Sequence, residues 1–260
     1  MLQYTLLSIR QQLEQPHLVR VNISRCPYLF DAGIDSVPAW LASSECELRF
    51  VENTGPYRKL LPTLEDALDS DIIVTFDDDV LYGPEWLRQI LESARAHPDT
   101  IVCSRARRIP QLLGVADLGY AAWGRVRRRT RGLRIVPIGC GGVAYRKRLL
   151  DSDMIRDKSF MDIAPTADDL WFRAASWRMG VEVLVEPSID SGNRYVLQPE
   201  SLTSDNIGLD RRVPPLVDLF ARRALAVLGV AKGRNDHAWR AIKARWPIPR
   251  TLEARQVHES

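Results

Sequence analysis

Residues 71–76 read Asp-Ile-Ile-Val-Thr-Phe, a short β-branched apolar run of the kind that forms a strand covered on both faces of a parallel sheet. The run stops at three consecutive carboxylates, Asp77, Asp78 and Asp79. This junction constrains the fold more than any other segment, because open α/β sheets gather ligands at the carboxyl ends of their strands. The flanking sequence agrees. A helical pattern opens the chain over Leu2 to Glu14, strand patterns follow at His17 to Ser24 and Glu47 to Glu52, and helical spacing returns at Tyr57 to Asp69. After the acidic run come a helix from Glu85 to Ala96 and a buried strand from Thr100 to Ser104. Strand and helix thus alternate as in a sheet wound with crossover helices, which predicts an α/β fold.

Beyond Ser104 the chain reads as irregular and basic as far as Ile135 to Ile138. A glycine-rich turn (Gly139, Gly141, Gly142), a short strand through Tyr145, a helix from Ala167 to Met179 and a strand from Val181 to Val185 complete the recognisable pattern. Two further helices are predicted at Val217 to Val227 and Asp236 to Arg245. A chain of 260 residues with 45% hydrophobic content can bury one sizeable core. The expectation is one domain over residues 1–190 with a C-terminal helical extension over 191–260.

The net charge of +3, from 36 basic and 33 acidic residues, is too small to argue for nucleic acid as a partner. Arginines do crowd one segment, at Arg125, Arg127, Arg128, Arg129, Arg131 and Arg134, and basic residues recur from Arg211 to Arg255. Such patches can rest peripherally on an anionic membrane, although a solvated charged face is the plainer reading. The cysteines, Cys26, Cys46, Cys103 and Cys140, form no C-x-x-C pair, which argues against a zinc or redox motif and for free thiols in a reducing, cytoplasmic setting. No signal-peptide pattern opens the sequence, and no apolar run approaches the ~20 residues that span a bilayer.

Three adjacent carboxylates repel one another, so a fold that clusters them usually supplies a cation, and hard oxygen ligands select magnesium or manganese. Such an ion clamps a diphosphate. The competing reading is an exposed acidic turn. Asp168 and Asp169 begin the helix that runs through Leu170, Trp171 and Phe172, where capping and dipole compensation alone would justify them; the functional alternative is a carboxylate that takes a proton from a hydroxyl nucleophile. Gly141 and Gly142 allow backbone to approach a ligand, but glycine serves tight turns equally well. Arg58 and Lys59 fall at a helix start after a strand, in reach of a phosphate or simply on the surface.

Taken in order, the segments VENTGPYRKLLPTLEDAL, DIIVTFDDDVLYGPEWL, PIGCGGVAYRKRLL and APTADDLWFRAASWRMGVEV resemble the family 2-like glycosyltransferases, particularly those of bacterial polysaccharide and lipopolysaccharide synthesis. The resemblance covers about Glu47 to Glu186. It implies a Rossmann-like nucleotide-diphospho-sugar transferase fold with a mostly parallel central sheet and helices on both faces. It also implies a nucleotide-sugar donor, a glycan or lipid-linked acceptor, and Mn2+ or Mg2+. Asp79 would hold the metal, with Asp77 shared between the metal and the nucleotide ribose. Asp78, Lys59 and Arg58 would lie near the donor, and Gly141 and Gly142 would border the donor sugar and acceptor. Asp169, or else Asp168, would be the base. Two departures stand out. Such enzymes open with a strand and loop that hold the nucleotide base, whereas this chain starts in a helix, so the expected start lies upstream or the base pocket is incomplete. A third metal ligand is also not evident, with Asp190 and His237 as weak candidates.

Two other readings fit part of the pattern. A haloacid-dehalogenase-type phosphohydrolase also places D-x-D after an apolar strand, with Asp77 as nucleophile, but its later acidic pair should follow a strand. A degenerate, non-catalytic nucleotide-sugar-binding module is the second.

Overall fold

The computed structural model describes residues 1–112, 116–196, 233–249 and 252. Helix α1 (Leu2–Arg10) buries one face through Thr5, Leu6 and Ile9. Strands β1 (Arg20–Ile23) and β2 (Glu47–Phe50) pair in parallel, Arg20 opposite Glu47, as a sheet of their own. Then come β3 (Ile73–Thr75), which ends in the acidic run, α2 (Trp86–Ala96), β4 (Ile101–Cys103), β5 (Thr130–Gly132) and β6 (Val143–Tyr145). Helix α3 (Asp168–Arg178), β7 (Val183–Val185) and α4 (Arg234–Arg245) complete the frame.

The central sheet has the order β5–β7–β4–β6–β3. Only β7 and β4 pair in parallel; β5–β7, β4–β6 and β6–β3 are antiparallel. The α/β class is as expected, but the mostly parallel sheet is not, and its cause is local. Parallel neighbours need a crossover connection, whereas a tight turn returns the chain antiparallel. Between β4 and β6 the described residues form short antiparallel strands, Ala106–Arg108 against Gly124–Arg125 and Ile135–Pro137, and the glycine turn then reverses the chain into β6. The segment that reads as irregular is in fact this small sheet, its strands too short and too rich in arginine to show a two-residue period.

A second correction concerns β3. It lies at the edge of the sheet, and Ile73 and Val74 are only half-buried, while every residue of β4, β6 and β7 is buried. The apolar run is matched by a cleft on its free side rather than by a second strand. Helix α1 straddles that cleft: Leu6 packs with Val21 and Ile23 of β1, and Ile9 packs with Val80 and Trp86 beyond β3.

The main core forms around α3, buried on nearly all sides. Trp171 and Phe172 meet Tyr57 there, Trp171 also meets Phe160, and Trp177 stacks on Trp239 of α4, which with Ile242 inserts into the same core. The fully buried Arg173 donates to the carbonyls of Val181 at 2.9 Å and Leu133 at 2.5 Å while its Nε has no acceptor, and burial pulls its guanidinium down to about 9. Helix α4 begins two residues before the expected Asp236, whose carboxylate accepts the Gly233 N–H at 2.9 Å. The helix expected at Val217 to Val227 lies outside the described residues.

Ile242 is fully buried at the α3–α4 contact. Ile242→Ala is expected to destabilise the fold by about 2–5 kcal/mol, read as a lower urea midpoint at unchanged slope. An unaltered midpoint would mean that α4 is not part of the cooperative core.

Candidate active site

The acidic run leaves the sheet edge and turns at once. Val80 and Leu81 pair with Tyr195 and Arg194, the Asp79 carbonyl accepts from Val196 N–H at 3.2 Å, and the Asp78 carbonyl accepts from Thr5 Oγ1 at 2.9 Å. The backbone is therefore fixed on both sides, which aims Asp77 and Asp79 into a cleft of about 1660 Å³. Asp78 is exposed and Asp77 and Asp79 are half-buried.

Lys59 is the hub of this cleft. Its ammonium lies 3.0 Å from Asp77 Oδ1 and 3.0 Å from Asp168 Oδ2, the latter out of line for a hydrogen bond. Burial alone would pull the ammonium down, but Asp168, Asp77 and Asp169 outweigh it and hold Lys59 well above the usual lysine range. The lysine arrives there on a 3₁₀ turn, Gly55–Lys59, whose Tyr57 is fully buried. Tyr57 stacks on Phe160 at 4.0 Å and donates to the Ala164 carbonyl at 2.6 Å, which ties the turn to the approach of α3.

Asp169 stands at the start of α3 and accepts the Gly139 N–H on both oxygens, at 3.1 and 3.2 Å. Burial and then the Asp168 charge push its carboxyl well above the ordinary range, against the pull of Lys59. Asp79 is raised for a related reason: burial, then repulsion from Asp77 and Asp78. No protein side chain among the described residues forms an ion pair with Asp79.

The glycine turn supplies the floor. A methyl group at Gly139 would meet Lys59 Nζ at 2.5 Å and Asp169 Oδ1 at 3.1 Å, so this position must be bare for the cluster to close. Gly142, at φ +94°, lies against the Trp86 ring, and Gly141 against Ser104 and Arg105. Gly141 and Gly142 thus pack on protein, and the cleft itself is lined by Ile138 and Cys140. Tyr82 joins the two loops, its hydroxyl accepting from Asp77 N–H at 3.0 Å and donating to the Cys140 carbonyl at 3.0 Å. Burial pushes the Cys140 thiol up to about 12, which removes it as a nucleophile.

Of the residues singled out in the sequence, Asp77, Asp79, Lys59, Asp168 and Asp169 come together. Arg58 lines the same cleft but is committed to Asp31 at 2.5 Å. Asp190 pairs with Arg125 at 3.2 Å and sits 3.8 Å from Arg105, and His237 is exposed on α4. Among the described residues no group of three or more His, Cys, Asp or Glu side chains forms a metal cage. A magnesium-type ion needs fewer, since it takes one or two carboxylates and completes its shell with substrate phosphate and water. Asp79, half-buried beside like charges and without a cation, fits that role; Asp77 fits it only by sharing with Lys59. Sequence reasoning named Gly139 only as part of the turn and missed Tyr57, Tyr82 and Trp86, although these aromatics stand within the quoted motifs.

This is a mixed α/β domain whose carboxylate-rich cleft opens where its edge strand ends. Residues 48–155 match the model of the family described as Glycosyl transferase family 2, which supports a family 2 glycosyltransferase-like domain over that segment. The match contains Lys59, the acidic run and the glycine turn, and ends before Asp168. No curated protein matches the chain significantly. No helix among the described residues is long and apolar enough to cross a membrane.

The raised Asp169 carboxyl has a consequence for stability. A folded-state value above the unfolded one means that the native state binds the extra proton, so stability falls as pH rises from the ordinary carboxylate range through the raised value. Asp169→Asn removes that cost. Its Tm is expected to equal or exceed that of the parent at pH 8, with the advantage vanishing towards pH 4; a variant less stable than the parent at pH 8 would count against a strained carboxylate.

Proposed function

We propose that the protein moves a sugar from a nucleotide-activated donor to a hydroxyl of a glycan or lipid-linked acceptor, in polysaccharide or lipopolysaccharide synthesis at the cytoplasmic side of the cell envelope. The observation that carries this reading is the pairing, in one cleft, of a cation-free carboxylate at Asp79 with a proton-seeking carboxylate at Asp169, inside and just beyond the matched family segment. Asp79, with Asp77 beside it, would hold a Mn2+ or Mg2+ ion together with the donor diphosphate. When bound, that ion offsets the negative charge that builds on the departing nucleotide.

The protein's own groups account for the rest. Asp169 takes the proton from the acceptor hydroxyl, whose oxygen attacks the anomeric carbon as the bond to the diphosphate breaks. Burial and the Asp168 charge strengthen it as a base, and the Gly139 N–H fixes its orientation. Lys59 stands between Asp77 and Asp168 and offsets the charge of both next to the base. Asp78, being exposed, has at most an electrostatic part. Arg127 and Arg128 remain as exposed arginines for contact with an anionic membrane, since Arg129 and Arg131 pair with Glu186 and Glu182 and Arg134 is buried against Asp117.

The phosphohydrolase alternative is not favoured. Its later acidic pair should follow a strand, whereas Asp168 and Asp169 follow the short helix Phe160–Ile163. Two variants separate the roles. Asp79→Ala is expected to abolish manganese-dependent binding of a nucleoside diphosphate, whereas Asp169→Asn keeps binding within a few-fold and cuts kcat by 10²–10⁴. The parent's kcat is expected to rise with pH along a limb above the ordinary carboxylate range, and residual activity of Asp169→Asn to be flat there. Equal loss of donor affinity in both variants would refute this division.

A further inference from the structure

Residues two apart on a strand share a face. Ala106 is fully buried in the main core, so Arg105 and Arg107 turn to the opposite side, and both line the cleft. Each guanidinium lies over a tyrosine: Arg105 over Tyr195 at 4.2 Å from the ring centre, and Arg107 over Tyr120 at 5.2 Å. Aromatic platforms of this kind hold a guanidinium flat with its N–H edge free for a planar or tetrahedral anion.

Their charges are poorly matched within the protein. Arg105 Nε is buried without a hydrogen-bond acceptor, and its nearest carboxylate, Asp190 Oδ2, is 3.8 Å away and also serves Arg125 at 3.2 Å. Arg105 Nη1 meets Cys140 Sγ at 3.7 Å. Arg107 Nη1 donates to the Trp123 carbonyl at 2.8 Å, and no carboxylate among the described residues pairs with it. Among the described residues the other Lys and Arg side chains of the cleft are spoken for: Lys59 by Asp77 and Asp168, Arg58 by Asp31, Arg20 by Glu47 at 3.1 Å and Arg95 by Glu14 at 2.7 Å. Among these residues the least committed positive charge of the cleft therefore sits on Arg105 and Arg107, at the start of one strand.

We propose that Arg105 and Arg107 form a phosphate-binding subsite that holds a phosphate group carried by the acceptor. The acceptor side is chosen by position, and this choice rests on the transferase reading above. The Arg105 carbonyl accepts from Ile138 N–H at 2.9 Å, and the next N–H along, that of Gly139, donates to Asp169 at 3.1 Å, which puts the subsite beside the base. The donor's charge is met elsewhere, at the acidic run. Paired guanidiniums bind phosphate through several charge-assisted hydrogen bonds, which a single lysine-type point charge does not reproduce.

The test uses the full chain and two probes, inorganic phosphate and glycerol 3-phosphate, titrated calorimetrically with and without a saturating nucleoside diphosphate and Mn2+. Both probes are expected to bind the parent, to bind equally well with the nucleoside diphosphate in place, and to weaken at least tenfold in the double variant R105Q/R107Q. Asp79→Asn is expected to leave their affinity unchanged. Unaltered affinity in the double variant overturns the proposal. So does displacement of the probes by the nucleoside diphosphate, since the two arginines would then belong to the donor. That competition needs only the parent protein, so a double variant that fails to fold does not shield the idea. Should no nucleoside diphosphate bind while arginine-dependent phosphate binding persists, the transferase reading falls and the assignment to an acceptor falls with it, leaving only an anion site.

Discussion

The ammonium of Lys59, set between Asp77 and Asp168 with Asp169 close behind, is the contact on which the cleft depends. At 3.0 Å and an effective dielectric of about 20, each pairing is worth roughly 5 kcal/mol of gross attraction, of the same order as the desolvation it must offset. The cluster is therefore poised rather than strongly stabilising. Its value lies in what it permits: carboxylates from the edge strand and from α3, elements far apart in sequence, can approach within one cleft without driving it open. The buried Tyr57 two residues away makes this possible, because a lysine on a loose turn would lose its position to solvent.

The glycine turn is the second half of the same mould. It serves the site through closeness, with Gly139 bare beneath Lys59 and Asp169, and Gly141 and Gly142 fitted to Ser104, Arg105 and Trp86. Trp86 Nε1 and Ser104 Oγ both donate to the Gly141 carbonyl, at 2.9 and 2.7 Å. The turn is thus held from α2 and from the end of β4 at once, and Tyr82 couples it to the backbone of Asp77. A shift in either loop is transmitted to the other through that one hydroxyl.

Most elements of the frame are legible in the sequence because they rest on local periodicity: α1, α2, α3, β4 and β7 lie where apolar spacing puts them. The candidate site residues are conspicuous too, since Asp77 to Asp79 and Asp168 to Asp169 are carboxylates at element ends, and all of them line one cleft. What the sequence hides is pairing. Nothing in Ile-Ile-Val-Thr tells an edge strand beside a cleft from a central strand between neighbours, because both demand apolar side chains. The direction of β6 is equally hidden, being set by a turn whose glycines also suit ligand approach. Arg58 and Lys59 stand side by side and look equivalent, yet one meets Asp31 and the other the acidic cluster, a difference fixed by the 3₁₀ geometry of the turn.

The charge pattern of the cleft also bears on what can enter it. Asp77, Asp78, Asp79, Asp168 and Asp169 face a single ammonium at Lys59, so the acidic side remains negative even after Asp169's raised affinity for a proton is allowed for. A diphosphate approaching that side alone would meet repulsion on the scale that already lifts Asp79. It must therefore arrive with a cation or meet one, and the spare cations of the cleft among the described residues, Arg105 and Arg107, sit on a different segment. An anionic donor and an anionic acceptor group can share this cleft only if their charges are met separately, by a divalent ion at Asp79 and by guanidinium on the Ala106–Arg108 strand. On the proposed transferase reading, that separation leaves the space before Asp169 free for the neutral groups that would react, the acceptor hydroxyl and the sugar.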